Sequence, residues 1–173
     1  MLKRLNTFLK KFSGDGAALP PKHGLQAVAL AAVGGFVTIS VLALLADHLS
    51  VALMLGSFGA SCVLVFGYPD APFSQPRNIV AGHFLSSLTG LIFLFVLGPY
   101  WWSSALAVAS VIAMMMLTRT VHPPAGSNPV IVFLIKPAWS FVFFPTLCGS
   151  VVLVAVAMIY NNATRPGKYP KYW

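Results

Sequence analysis

The residues that could perform the widest range of chemistry lie in a polar, proline-rich stretch between two long apolar runs. Residues 119–136 read RTVHPPAGSNPVIVFLIK and combine the permanent charge of Arg119 with the imidazole of His122. Asn128 followed by Pro129 is typical of a helix start, with Asn at the N-cap and Pro at the first helical position. Because a helix start presents free amides and the positive end of a dipole, this stretch is a candidate anion site.

Two structures are compatible with this stretch. In the first it is a half-helix within a re-entrant segment, and an anion would be held by Arg119, His122 and the backbone around Gly126, Ser127 and Asn128. In the second it is a structured turn before a long fifth helix, and local hydrogen bonds satisfy His122. The sequence leaves both open.

A second candidate is the cluster of small residues GSFGAS at positions 56–61, in the middle of an apolar run. Small residues at this density indicate close packing between transmembrane helices. The alternative is a helix interrupted near the bilayer midplane, which would expose backbone groups near Ser57 and Gly59 to a solute.

A third group opens the next apolar run with SQPRN at 74–78, and His83 follows about one turn inside. Arg77 is either an anchor to the membrane interface or an anion ligand, and Asn78 lies beside it. His83 is expected to face protein or water, as a ligand, a proton carrier or a packed residue.

The composition of the chain indicates that it lies in a lipid bilayer. Of the 173 residues, 58% are hydrophobic and 8% are charged, whereas a soluble domain carries about 25% charged residues. The acidic residues are Asp15, Asp47 and Asp70, and none lies inside a long apolar run. Since cation and proton pumps usually carry an acid within the membrane, an anionic or neutral solute is expected.

Enzymatic and nucleic-acid functions find no support in the sequence. It contains no GxSxG, HExxH, P-loop or GxGxxG motif and no carboxylate pair for acid–base catalysis, so we expect neither an enzyme nor a cofactor or metal site. The basic residues lie at the edges of apolar runs, which is unlike a nucleic-acid-binding surface. Cys62 and Cys148 are expected to be packing residues in helices.

Apolar runs of membrane-spanning length predict an all-α integral membrane protein with four to five transmembrane helices and Pro-rich broken or re-entrant segments. Five are preferred, at Gly24–Ala46, Leu49–Gly67, Ile79–Leu97, Ser103–Thr118 and Ala138–Tyr160. The domain plan is an amphipathic segment and linker at 1–23, a transmembrane domain at 24–160 and a basic, aromatic tail at 161–173.

Basic residues predict the orientation. Lysines before the first span place the N-terminus in the cytoplasm, together with the loops that carry Arg77, Arg119 and Lys136. Five spans then place the tail outside, which disagrees with the basic residues that the tail carries. Four spans would place the tail in the cytoplasm. Residues 1–12 predict a short helix on the anionic membrane surface, with Leu2, Leu5, Phe8, Leu9 and Phe12 on one face and Lys3, Arg4, Lys10 and Lys11 on the other.

Several of these motifs together resemble one family. The sequence TRTVHPPAG at 118–126 is similar to the signature of the HPP integral membrane proteins, named for His-Pro-Pro. The resemblance extends to LGSFGAS at 55–61, QPRN at 75–78 and Gly82-His83, in the family's order, and covers most of the chain. It implies a four-span membrane protein and a transporter.

The continuation GSNP at 126–129 resembles the cyanobacterial and plastid branch, in which plastid members are associated with nitrite movement. The resemblance therefore implies nitrite, or a similar small monovalent anion, as the substrate. It also implies the plasma membrane of a bacterium, such as a cyanobacterium, or alternatively the plastid inner envelope. We expect the bilayer and the anion as partners, with the chain forming a homo-oligomer.

Two other functions remain open. A permease for a neutral small solute would use the basic residues only to set its topology. A membrane subunit without transport activity would use the basic helix and the aromatic edges to dock a partner protein.

Overall fold

The computed structural model describes residues 2–173, and helices form all of their regular secondary structure. The α-helices are α1 (Leu2–Lys10), α2 (Leu25–Leu49), α3 (Gly56–Gly67), α4 (Pro76–Leu97), α5 (Trp101–Thr118), α6 (Asn128–Ile135) and α7 (Cys148–Thr164). No strand occurs among the described residues, so the all-α prediction is confirmed.

Three of these helical stretches are long and apolar enough to cross a membrane unaided: Leu25–Leu49, Pro76–Leu97 and Trp139–Thr164. They match the predicted first, third and fifth spans to within a few residues at each end. The fourth predicted span is α5, with Trp101 and Trp102 as its first residues. The last stretch is not a regular α-helix throughout, because Phe144 has an extended backbone ahead of α7.

The second predicted span is broken. Residues 51–55 have no helical structure, and α3 begins only at Gly56, where Leu55 is extended. Leu53 and Leu55 are nonetheless buried while Ala52 and Met54 are exposed, so one face of this non-helical piece packs against the bundle. Five residues at full extension and a 12-residue helix would together reach at most roughly 35 Å, against a hydrocarbon core of about 30 Å. The small residues at 56–61 therefore mark an interrupted helix.

A further crossing is formed by residues 120–135. A 3₁₀ turn at Pro123–Ser127 leads directly into α6, and the two pieces follow α4 along its length. Gly82 of α4 faces His122, whereas Gly90, two turns further on, faces Pro129. The segment thus runs from the beginning of α4 toward its end; it contains the predicted half-helix, as α6, but does not turn back as a re-entrant segment would.

The bundle has a basic end and a far end. At the basic end, Arg77 contacts the last turn of α5 and Arg165 binds Asp70. At the far end, Trp139 packs on Phe95, two residues before α4 finishes. The far end also carries the end of α2, the short 98–100 connection and Lys136.

Helices occur within all five predicted spans, three of them in stretches long enough to cross a membrane unaided, and the 120–135 segment adds a further lengthwise pass. Two predicted positions are consequently wrong. Lys136 lies at the far end, away from Arg77 and Arg119, because the chain crosses before reaching it. The tail lies at the same end as the start of α2, since Arg165 binds the 68–75 loop and His23 packs on Tyr68.

The N-terminal amphipathic helix is present as α1, followed by a 3₁₀ turn at Lys11–Ser13. Leu5, Phe8, Leu9 and Phe12 are exposed, as an interfacial helix requires. Met1 and the side chains of Leu2 and Lys3 lie outside what the structure describes.

Candidate functional site

A chain of hydrogen bonds joins three buried side chains from three separate segments of the bundle. Ser61 Oγ of α3 lies 3.0 Å from His83 Nε2 of α4 and 2.8 Å from His122 Nε2, which precedes the 3₁₀ turn. None of the three has any exposed surface. His122 Nδ1 lies 2.7 Å from the carbonyl oxygen of Phe73, in the loop at the basic end.

The partners determine which ring nitrogens carry hydrogen. The Phe73 carbonyl can only accept, so His122 Nδ1 donates to it. The Asn128 amide donates to His83 Nδ1 at 3.1 Å, which places the hydrogen of His83 on Nε2. His83 therefore donates to Ser61, and Ser61 donates to the free Nε2 of His122. Both rings are neutral in this arrangement.

Asn128 extends the cluster toward α7. Its amide also donates to Ser87 Oγ at 2.9 Å, and Ser87 lies 2.9 Å from Thr146 Oγ1. Asn128 Oδ1 is buried and has no hydrogen-bond partner. An unpartnered buried amide oxygen is costly, since it has given up water without gaining a protein donor. Asn128 thus keeps unused hydrogen-bonding capacity inside the bundle.

Glycine lets the 120–127 stretch reach α4. A Cβ at Gly82 would lie 2.9 Å from His122 Cβ and 3.2 Å from the Thr120 carbonyl oxygen. Ser86, one turn further on, donates to the Ala125 carbonyl. A Cβ at position 82 would meet His122 Cβ and the Thr120 backbone oxygen, and neither atom can move aside as the end of a flexible side chain can. Any larger residue at 82 would therefore push His122 away from Ser61.

The arginines predicted at the site lie outside the cluster, at the basic end of the bundle. Arg119 is exposed and caps α5 in a left-handed backbone conformation. Arg77 is also exposed and donates to the Thr118 carbonyl at 3.0 Å. Asn78 is buried and donates to the Val121 carbonyl at 2.9 Å, so it positions the backbone directly before His122.

The other predicted site residues divide between the cluster and its surroundings. Ser57 is buried one turn before Ser61, and its hydroxyl has no partner. Gly126 is half-buried and Ser127 is exposed, with its hydroxyl donating to the Pro124 carbonyl. Gly59 lies away from the cluster, in a groove of about 1040 Å³ between α2, α3 and α7.

Sequence reasoning missed Ser61, Ser87 and Thr146. Two of them had a local signal, because Ser61 is four residues after Ser57 and Ser87 is four residues after His83, on the same helix faces. Thr146 had none, since its contact depends on how the 139–147 stretch folds back on α4.

The cluster contains hydrogen-bond donors and acceptors but no acid. Its two rings and their Ser, Asn and Thr partners are all uncharged. Within residues 2–173 no group of three His, Cys, Asp or Glu side chains converges as a metal site would require.

The C-terminal tail is tied over the loop that binds His122. Tyr169 donates to the Ser74 carbonyl at 2.7 Å, and the Lys171 amide donates to Gln75 Oε1 at 2.7 Å. Arg165 and Lys171 pair with Asp70 at 2.7 and 3.2 Å.

Two groups at the contact between the tail and the loop, Asp70 of the loop and Tyr169 of the tail, have shifted pKa values. Burial alone would raise the pKa of Asp70, but the hydrogen bonds and charges of Arg165 and Lys171 outweigh it and lower the pKa. Burial raises the pKa of the Tyr169 hydroxyl.

Known proteins are similar in sequence to this chain over nearly its whole length. Two Dictyostelium discoideum proteins, each described as a transmembrane protein, are 34% and 36% identical to it over 96% of this chain. The chain spans 63% and 57% of those two relatives. They lend no support to the expected bacterial or cyanobacterial origin. No solved structure matches.

The family model described as "HPP, transmembrane region" matches residues 20–170. That range includes every segment that contributes to the histidine cluster, from Ser61 to Thr146. This chain therefore belongs to the HPP family of multi-pass membrane proteins.

Proposed function

We propose that the chain is a transporter or channel for a small monovalent anion, with nitrite as the first candidate, and that the solute passes the His83–Ser61–His122 cluster. The observation that supports the proposal is the cluster itself. It places hydrogen-bond donors without a single acid where the interrupted 51–67 and 120–135 segments meet α4. Donors stabilise an anion, and an acidic side chain would repel it.

The position of the cluster also supports a path. His83 lies seven residues into α4, roughly 10 Å along the helix axis from the basic end. Ser57 Oγ, which has no partner, lies one turn before Ser61 and can donate a hydrogen bond to an anion. Broken helices at a polar site within the membrane are typical of transporters, whose substrate sites use such interruptions.

The basic end would serve as the anion entrance. Arg77 and Arg119 are exposed there, and Arg165 and Lys171 carry further positive charge. Clustered positive charge raises the local concentration of an anion and its rate of entry. Arg119 would thus act at the entrance, without a contact to the buried cluster.

The proposal is tested by tracer nitrite exchange in proteoliposomes of the purified protein, corrected for protein-free vesicles. We expect saturable exchange, reduced at least tenfold by His83→Gln. The matched control is His48→Gln, an exposed histidine at the far end of α2. Exchange that is no faster than in protein-free vesicles would contradict the proposal.

A neutral solute is the second candidate, because the cluster carries no charged side chain. Flux of a neutral amide such as formamide in the same vesicles, without nitrite flux, would favour that function. Absence of both fluxes would favour a membrane subunit that docks a partner. The proposal assigns no enzymatic step to the chain. The bacterial plasma membrane and the plastid inner envelope stay candidate locations, and fractionation of the source cells tests each of them.

A further inference from the structure

The Ser61 hydroxyl has more neighbours than its single hydrogen can serve. It lies 2.8 Å from His122 Nε2, 3.0 Å from His83 Nε2 and 3.1 Å from the Ser57 carbonyl oxygen. A hydroxyl donates one hydrogen bond and accepts up to two. Since His83 donates to it, the Ser61 hydrogen is left with two alternative acceptors, His122 Nε2 and the Ser57 carbonyl.

These two acceptors define two complete hydrogen-bond patterns. When His122 is neutral, Ser61 donates to its Nε2. When His122 carries an added proton, its Nε2 donates to Ser61, and the Ser61 hydrogen turns to the Ser57 carbonyl. Phe73 continues to accept from Nδ1 and His83 continues to donate to Ser61. His122 can therefore gain a proton while no bond of the network is lost.

His83 has no such freedom. Its Nδ1 accepts from the Asn128 amide at 3.1 Å, so a proton added there would point at another N–H. The amide cannot simply turn over, because it also donates to the His83 backbone carbonyl at 3.4 Å, which can only accept. The two histidines thus have different tasks, and His122 is the one built to change its protonation state.

A proton on His122 needs a compensating charge. The groups that face His122 are Ser61 from α3, His83 from α4 and a backbone carbonyl from the 68–75 loop, and none is an acid. Cys62, next to Ser61, lines the groove between α2, α3 and α7 on the other face of α3. The charged side chains of the adjoining segments stay at the basic end: Asp70 with Arg165 and Lys171, Arg77 on the Thr118 carbonyl, and Arg119 exposed.

We propose that each transported anion supplies this charge, so that His122 carries one proton with each anion and transport is electroneutral. This inference rests on the proposed anion transport. Within the membrane an unpaired charge costs far more than a neutral pair, which favours moving the two together. His122 takes the proton from water at one end and returns it to water at the other.

The test uses proteoliposomes with an alkaline interior and a membrane potential held at zero by potassium and valinomycin. We expect nitrite to accumulate inside, and an internal pH dye to report about one proton entering per nitrite. Omitting valinomycin should not slow the flux, because no net charge moves. His122→Gln should lower pH-driven accumulation at least tenfold, and His48→Gln should leave it unchanged.

A second measurement avoids the risk that His122→Gln fails to fold. In wild-type protein labelled with ¹⁵N-histidine, NMR should show His122 as the neutral Nδ1–H form without nitrite and as imidazolium with nitrite bound. A ring that stays neutral with nitrite bound would overturn the proposal.

The failures of the two proposals can be told apart. If tracer exchange is absent, anion transport itself is wrong. If exchange is present but the flux needs valinomycin and ignores the pH gradient, nitrite moves as a bare anion and only the role of His122 is wrong.

Discussion

At the scale of single residues, the cluster depends on a few atoms that have no substitute. Ser61 satisfies nitrogens on both histidines, whereas Ser57, one turn earlier on the same face, has a hydroxyl without a partner. These two serines share helix, burial and size. They therefore form a matched pair for measuring what the network contributes.

We expect Ser61→Ala to destabilise the protein by about 1–3 kcal/mol, because it strands a donor of His83 and an acceptor of His122. Ser57→Ala removes an unpartnered hydroxyl and should be neutral or slightly stabilising. Thermal unfolding of both variants in the same detergent measures the difference. Equal melting temperatures for the two variants would show that Ser61 does not hold the rings.

We expect Gly82→Ala to cost about 1–3 kcal/mol, since its Cβ would meet His122 Cβ at 2.9 Å and force the backbone apart. Nitrite exchange should fall with it. Gly59→Ala is the control, because a Cβ there meets nothing within 4 Å and alanine is the better helix former. A Gly82→Ala protein as stable and active as the parent would contradict the close approach.

The sequence predicted only part of this site, for physical reasons. His83, His122 and Asn128 were identifiable because such side chains are rare and expensive within a membrane. Ser61 and Ser87 were not, since serine is common wherever membrane helices pack closely. Arg77 and Arg119 lie beside the motifs that form the cluster, but both are exposed, and their role as anion ligands stays a prediction.

At the scale of elements, the long helices were predictable and the broken ones were not. Apolar length alone locates α2, α4 and α5. The 120–135 crossing consists of a 3₁₀ turn and an eight-residue helix, and neither piece has the length that signals a span. Its polar first half is buried because Gly82 of α4 lets the backbone approach closely and Ser86 donates a hydrogen bond to the Ala125 carbonyl.

This crossing predicts different exposure for its two ends. In a background with Cys62 and Cys148 replaced, Lys136→Cys should react with a membrane-impermeant maleimide added outside intact cells. Arg119→Cys should react only after the membrane is opened. Cysteines at Asp47 and Tyr100, also at the far end, are the positive controls. Labelling of Arg119→Cys from outside would show that the orientation is opposite to the one predicted. Absence of labelling at Lys136→Cys would contradict the 120–135 crossing.

At the scale of the whole molecule, six passes place both ends of the chain on one side. Lys22, Arg77, Arg119, Arg165, Lys168 and Lys171 then share the basic end, which satisfies the positive-inside rule better than five spans do. The homo-oligomer stays a prediction. Exposed apolar residues on α5, such as Leu106, Ile112 and Met116, would face either lipid or a second copy.

We expect docking of the tail to be independent of pH between about 5 and 8 and to weaken in acid. The folded-state pKa of Asp70 lies below its ordinary value of 3.8, so the ion pairs are formed above that value and disappear as the pH falls through the lowered one. A spin label at Trp173→Cys, with the native cysteines replaced, should gain mobility only below that ordinary value. Asp70→Asn should remove this pH dependence, while Tyr169 and the Lys171 amide still hold the tail. A label in that variant that still gains mobility in acid would contradict the role of Asp70.

The exposed apolar stripe of α1 gives the molecule unequal cross-sections in the two halves of the bilayer. Phe8 and Phe12 pack edge to face and, with Leu5 and Leu9, would enter the lipid headgroup layer on the basic side only. An extra helix in one leaflet acts as a wedge, because it widens that leaflet and leaves the other unchanged. Strongly curved vesicles whose wider leaflet faces the basic end should therefore accept the protein more readily than flat membranes, and deletion of α1 should abolish the preference.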